Sequence, residues 1–107
     1  MPEDANTICG QMIQRLLRRE NLSEAETRQM FHLILRGQPS DFQQGAFLAA
    51  LTAKGETAAE IAGGWWAVDE LDTVHPPIAR PERLVDTCGT GMDSCKTFNI
   101  STIASVV

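Results

Sequence analysis

The stretch of this 107-residue chain best equipped for chemistry is Asp86-Thr87-Cys88-Gly89-Thr90-Gly91-Met92-Asp93-Ser94-Cys95-Lys96-Thr97-Phe98-Asn99-Ile100-Ser101-Thr102. Gly89 and Gly91 admit backbone conformations closed to other residues and let a ligand approach the main chain. Thr97, Ser101 and Thr102 bring hydroxyls and Asn99 an amide, just ahead of an expected helix over Asn99 to Val107. Free amides and the dipole at a helix start attract anions, phosphate above all. The pattern therefore predicts a phosphate or diphosphate cradle, with a plain glycine turn between strand and helix as the alternative reading. Two familiar nucleotide motifs fail here. Thr90 and Cys95 stand where a G-x-x-x-x-G-K-[ST] loop needs glycines, and Ser94 replaces the last glycine of G-x-G-x-x-G.

Other reactive side chains are sparse. Cys9, Cys88 and Cys95 form no C-x-x-C pair, which favours free thiols in a reducing compartment over disulfides or a zinc site. Cys88 and Cys95 flank the glycine loop without a histidine nearby in sequence, so packing or simple exposure is expected of them, and a structural place for Cys9. His32, inside an amphipathic segment, and His75, beside prolines, have no partner at ligand spacing. Glu24 and Glu26 suit a helix start. Asp69, Glu70 and Asp72 suit a domain edge, and Arg15, Arg18, Arg19 and Glu20 a solvated helix face.

The elements that position the loop are legible from their punctuation. Ser23-x-x-Glu26, Ser40-x-x-Gln43 and Thr57-x-x-Glu60 have the spacing of capping boxes. Gly37 and Gly55 follow apolar-periodic runs and suit the left-handed position after a helix. Four helices are predicted, near residues 8–19, 24–36, 41–54 and 58–71. Their apolar stripes are Ile8/Met12/Ile13/Leu16/Leu17, Met30/Phe31/Ile34/Leu35, Phe42/Ala46/Phe47/Ala50 and Ile61/Trp65/Val68, and at least one of Trp65 and Trp66 is expected in the core. Ala46, Ala49 and Ala50 would allow close approach. Short helices are marginal alone, so they must pack into one helical domain over residues 1–72. A proline-rich linker, 73–83, follows. Leu84-Val85-Asp86 reads as a short strand that opens an α/β unit over 84–107, and the chain stops inside the apolar run Ile103-Ala104-Ser105-Val106-Val107. The expected architecture is mostly α, a four-helix bundle followed by the first strand, glycine loop and helix of a truncated α/β domain.

Composition excludes several classes. Fourteen acidic against nine basic residues give a net charge of −5, unsuited to broad nucleic-acid binding. No apolar run approaches the ~20 residues of a membrane span, and the start Met1-Pro2-Glu3-Asp4 has no signal-peptide core.

The run Gly89-Thr90-Gly91-Met92-Asp93-Ser94 with Lys96-Thr97-Phe98-Asn99-Ile100-Ser101-Thr102 closely resembles the G-T-G-G-D…T-F-N-I-S-T signature of anthranilate phosphoribosyltransferases. Leu22-Ser23-Glu24, residues 44–51 and residues 54–62 are similar to the same family's N-terminal helical region. The resemblance covers nearly the whole chain but about the first third of a full-length member. It implies transfer of phosphoribosyl from phosphoribosyl diphosphate to anthranilate, releasing diphosphate, in tryptophan biosynthesis in the cytoplasm. It also implies a homodimer formed through the helical domain. By position, Gly89, Met92 and Asp93 would lie along the diphosphate, with Gly89 also near anthranilate. Thr97, Asn99, Ile100, Ser101 and Thr102 would hold the phosphoribosyl diphosphate, and Ser101 would ligate Mg²⁺. The chain lacks the family's later lysine-rich loop and acidic Mg²⁺ pair, so inactivity is expected of it alone. Two alternatives stay open: a glycosyl-transfer relative of pyrimidine nucleoside phosphorylase type, and a non-catalytic helical dimerisation module.

One residue departs from the pattern. Met92 stands where the family has its second consecutive glycine, and a side chain there crowds the diphosphate or alters the loop. Met92→Gly in a full-length version is expected to lower the Michaelis constant for phosphoribosyl diphosphate, and an unchanged constant refutes the crowding.

Overall fold

The computed structural model describes residues 4–89 and 100–106, with backbone alone for 100–102. Four helices make up the first part: α1 (Ala5–Leu17), α2 (Glu24–Leu35), α3 (Asp41–Lys54) and α4 (Ala58–Leu71). A single 3-10 turn, Pro81–Arg83, and α5 (Ile100–Val106) follow. Contacts divide the chain into two compact units, Met1–His75 and Pro76–Val107. None of the helices among the described residues is long and apolar enough to cross a membrane.

Local signals set most boundaries. Ser23 accepts the Glu26 amide while the Glu26 side chain accepts the Ser23 amide, a full capping box. Thr57 and Glu60 do the same for α4. The third box is half made. Ser40 accepts the Gln43 amide, but the Ser40 amide donates to Asn6 Oδ1 of α1 at 3.0 Å instead of to Gln43. The helix α1 begins three residues before the expected Ile8, entered through an extended Asp4 whose side chain makes no cap bond. It ends earlier as well, because Arg19 turns to φ 62°. The Arg19 amide reaches Leu16 O at 2.9 Å and the Glu20 amide Arg15 O at 3.0 Å, the paired bonds of a Schellman ending built on a non-glycine residue. Gly37, φ 64°, closes α2 in the same way through its bond to Ile34 O and that of Gln38 to Leu33 O. Gly55 also takes a positive φ of 88°, but its ψ of 128° is not helical, so it redirects the chain rather than completing a left-handed turn.

Packing pairs α2 with α4 and α1 with α3. The core between them is Cys9, Leu16, Leu22, Met30, Phe47, Ala50 and Leu51, backed by Met12, Ile13, Phe31, Leu33 and Ile34. Phe31 meets Phe47 edge to face, ring centres 6.0 Å apart, and so joins the two pairs.

Several expected core residues lie outside. Phe42 is 86% exposed, and Ala49 and Leu17 are exposed too. The expected α4 stripe is displaced. Ile61 (61%) and Trp65 (56%) are exposed, while Glu60, Gly63, Gly64 and Ala67 are buried. The cause is how near α4 comes to α2. A Cβ on Gly63 would overlap the Glu24 carbonyl oxygen and stand 2.9 Å from the Arg28 amide nitrogen, while one on Gly64 would come within 3.3 Å of the Phe31 ring. Only the small-residue face fits that approach, so the large apolar side chains are turned away. Neither tryptophan is core, since Trp66 is 40% exposed and rests against Trp65, ring centres 4.8 Å apart.

Beyond α4, residues 73–80 carry no regular structure, as prolines require. Leu84-Val85-Asp86, expected as a strand, is not one. Leu84 is extended (φ −88°, ψ 140°), but residues 84–89 are exposed and unpaired in any ladder, and no strand occurs among the described residues. A strand needs a neighbour to bond to.

Candidate functional site

Of the residues that the sequence singles out, Gly89 is placed in full. It is exposed, three residues after Asp86, whose Oδ1 accepts the Cys88 amide at 2.8 Å. That Asx-type bond fixes the local backbone just before the glycine. Ile100, Ser101 and Thr102 lie in the backbone of α5, in keeping with the helix expected there. Met92, Asp93, Thr97 and Asn99 lie outside the described residues, as does Cys95. Cys88 is an exposed free thiol and Cys9 a buried one whose pKa burial pushes up.

The resemblance implies Mg²⁺ as cofactor, with Ser101 as a ligand. Among the described residues no group of three or more His, Cys, Asp or Glu could hold a metal ion. One hydroxyl is no cation site by itself, since Mg²⁺ wants six oxygens in near-octahedral order.

A buried polar site among the described residues lies elsewhere, where α1, α2, α3 and α4 have neighbouring ends. Glu60 is 1% exposed. Its Oε1 accepts the Leu22 amide at 2.8 Å, and its Oε2 accepts both the Thr57 amide at 2.8 Å and Lys54 Nζ at 2.9 Å. Lys54, its side chain 4% exposed, also donates to Asn21 Oδ1 at 3.1 Å and to Gly55 O at 2.8 Å. Burial alone would raise the Glu60 pKa. The Leu22 amide, the Lys54 ammonium and the Thr57 cap outweigh it, and the net direction is down. The sequence marked Glu60 as a helix cap. It missed Lys54, whose role depends on a contact with the α1–α2 connection that no local spacing encodes.

Two further clusters tie helices together at the surface. Arg15 pairs with Glu20 and Glu26, so it is not merely solvated. The Ser23 amide first, then Arg15, hold the Glu26 carboxyl below its ordinary range. Glu70 of α4 pairs with Arg28 and with His32 Nε2 at 2.7 Å, and the Arg28 guanidinium stands 5.7 Å over the Trp66 ring. His32 is therefore a helix-joining residue, as its lack of ligand spacing implied.

Because Glu60 and Glu26 are both lowered from 4.5, the unfolded chain takes up their protons first. Their contribution to stability is complete above that ordinary value and drains as pH falls from there through the lowered native values. Thermal melts of the chain are expected to lose Tm below about pH 5. Glu26→Gln should flatten that acid limb, and identical acid limbs for the two chains would contradict the assignment.

Between α3 and α4 runs an apolar groove of about 400 Å³, lined by Phe31, Leu48, Ile61, Gly64, Trp65 and Val68 among others. It gathers the apolar side chains that the α2–α4 contact turned outward.

Comparison with known proteins adds three findings. Residues 10–71 match the model of the "Glycosyl transferase family, helical bundle domain". A protein of Synechococcus sp. named anthranilate phosphoribosyltransferase is 45% identical over 107 residues, all of this chain and 30% of its own length. Proteins of the same name from Clostridium beijerinckii and Methylococcus capsulatus are 41% and 42% identical, over 94% and 91% of this chain and 29% and 28% of theirs. The chain thus spans less than a third of the length of these curated relatives. No solved structure matches it significantly.

Proposed function

Since the chain belongs to the glycosyl transferase family, carrying its helical bundle domain over residues 10–71, we propose that it is the N-terminal part of an anthranilate phosphoribosyltransferase. The observation that carries this reading is that similarity to a protein of that name, at 45% identity, spans all 107 residues, the helices and the glycine segment alike. The reaction joins the anthranilate amine to the phosphoribosyl group of phosphoribosyl diphosphate and releases diphosphate. Gly89, Met92 and Asp93 line the diphosphate, and Gly89 also borders anthranilate. Thr97, Asn99, Ile100, Ser101 and Thr102 hold the phosphoribosyl diphosphate through hydroxyls, an amide and main-chain groups.

Negative charge grows on the departing diphosphate, so fixed main-chain amides and hydroxyls aimed there favour the transition state over the ground state. The anthranilate amine is already a nucleophile, and neither Cys88 nor Cys95 is needed to attack. Mg²⁺ would be held from this chain by the Ser101 hydroxyl, and would supply positive charge that offsets the charge growing on the departing diphosphate. The enzyme works in the cytoplasm as a homodimer assembled through the helical domain, and the 107 residues alone are inactive.

A hybrid joining residues 1–107 to the remaining length of the Synechococcus relative tests the reading. Anthranilate should disappear with matching release of diphosphate, and faster when Met92→Gly is added. A hybrid that folds yet consumes no anthranilate, with or without that change, while the parent relative does, refutes it.

A further inference from the structure

We propose that the buried Lys54–Glu60 pair is a latch that makes the α1–α2 and α3–α4 connections open together, as one unit. The proposal stands apart from the activity above and rests on how the charges are satisfied. Glu60 accepts one main-chain amide from each connection, Leu22 from the first and Thr57 from the second. Lys54 likewise reaches Asn21 in the first and Gly55 in the second. Its three ammonium protons are all used, one of them on Glu60. Each charge is nearly shut off from water, so neither can replace a lost partner with solvent unless the site opens.

That makes the two connections interdependent. If Leu22 withdraws, Glu60 Oε1 loses the donor it faces, and the buried carboxylate becomes less favourable for Lys54 and Thr57 as well. If the turn at Gly55 withdraws, Lys54 leaves and the carboxylate holding Leu22 is stranded. The latch also spans the division of the bundle, because Lys54 ends α3 of one helix pair and Glu60 lies in the first turn of α4 of the other. The opposite end of the bundle is tied by different groups, Asn6 to the Ser40 amide and Ser40 to the Gln43 amide. Openings at that end have no reason to follow the latch.

Hydrogen exchange on the 107-residue chain reads this directly. In the unaltered chain the Leu22 and Thr57 amides should show equal opening free energies and equal slopes against low urea concentrations, both differing from those of the Gln43 amide. In Glu60→Gln, and separately in Lys54→Met, protection at Leu22 and Thr57 should fall together, by at least about tenfold, with Gln43 changing much less. Unequal urea slopes for Leu22 and Thr57 in the unaltered chain overturn the proposal even if neither variant folds. So does a loss at one of these amides alone, or an equal loss at Gln43, which would mean general destabilisation.

Discussion

Gly63→Ala should remove about 3 kcal/mol or more of the bundle's stability, the upper end for an overfilled contact. The added methyl group would meet the Glu24 carbonyl oxygen, the Arg28 amide nitrogen and Thr27 Cβ, and two of these three are backbone atoms that no rotamer change can move. The helices α2 and α4 would have to separate, loosening the Arg28–Glu70 and His32–Glu70 pairs at their surface. Gly45→Ala is the matched control. Gly45 lies inside α3 with nothing within 4 Å of its missing Cβ, and the change should stabilise by about 0.5–1 kcal/mol. Urea melts of the two variants should therefore shift in opposite directions. A Gly63→Ala chain as stable as the parent would show that α4 does not approach α2 as described.

Phe47→Ala should cost about 3–5 kcal/mol. Phe47 is fully buried and is the largest such side chain in the core. It also supplies the α3 half of the edge-to-face pair with Phe31. Truncation leaves a cavity bordered by both helix pairs, so the loss falls where the two halves of the bundle meet. Against a total of about 5–15 kcal/mol for an ordinary domain, that is enough to leave much of a bundle this small unfolded at moderate temperature. Calorimetry of Phe47→Ala and Phe42→Ala makes the comparison. Phe42 is 86% exposed, and its removal should shift Tm very little. Equal shifts would reverse the orientation given to α3.

The two phenylalanines mark where sequence reasoning succeeds and where it stops. Both fall on the stripe predicted for α3, and periodicity alone does not say which end of a stripe is covered. Features set by neighbouring residues are legible. The two full capping boxes at Ser23 and Thr57, the start and end of α4, and the left-handed Gly37 follow from short-range geometry. The Ser40 box was half right because Asn6, distant in sequence, took the place of Gln43. The end of α1 is not legible, because arginine, not glycine, occupies the left-handed position at residue 19. On α4 residue size points to an apolar stripe through Ile61 and Trp65, whereas the close helix spacing requires small residues at Gly63 and Gly64. Residue preference favours a strand over Leu84-Val85-Asp86 but cannot supply it with a partner. Of the candidate site, Gly89 and the helix at Ile100 are placed, and the residues between 90 and 99 lie outside the described part of the chain. The Lys54–Glu60 pair was half visible as a cap, since only folding brings Asn21 and Leu22 to it.

The adjacent indoles on α4 have an optical consequence. The chain has two tryptophans and no tyrosine, so its ultraviolet emission originates from one spot on the outer surface of α4. Both rings are already in contact with solvent, so denaturation should redden their emission only slightly. Anything that settles over the neighbouring groove and dries Trp65 should instead shift it to the blue, an intrinsic lamp for occupancy that needs no attached dye.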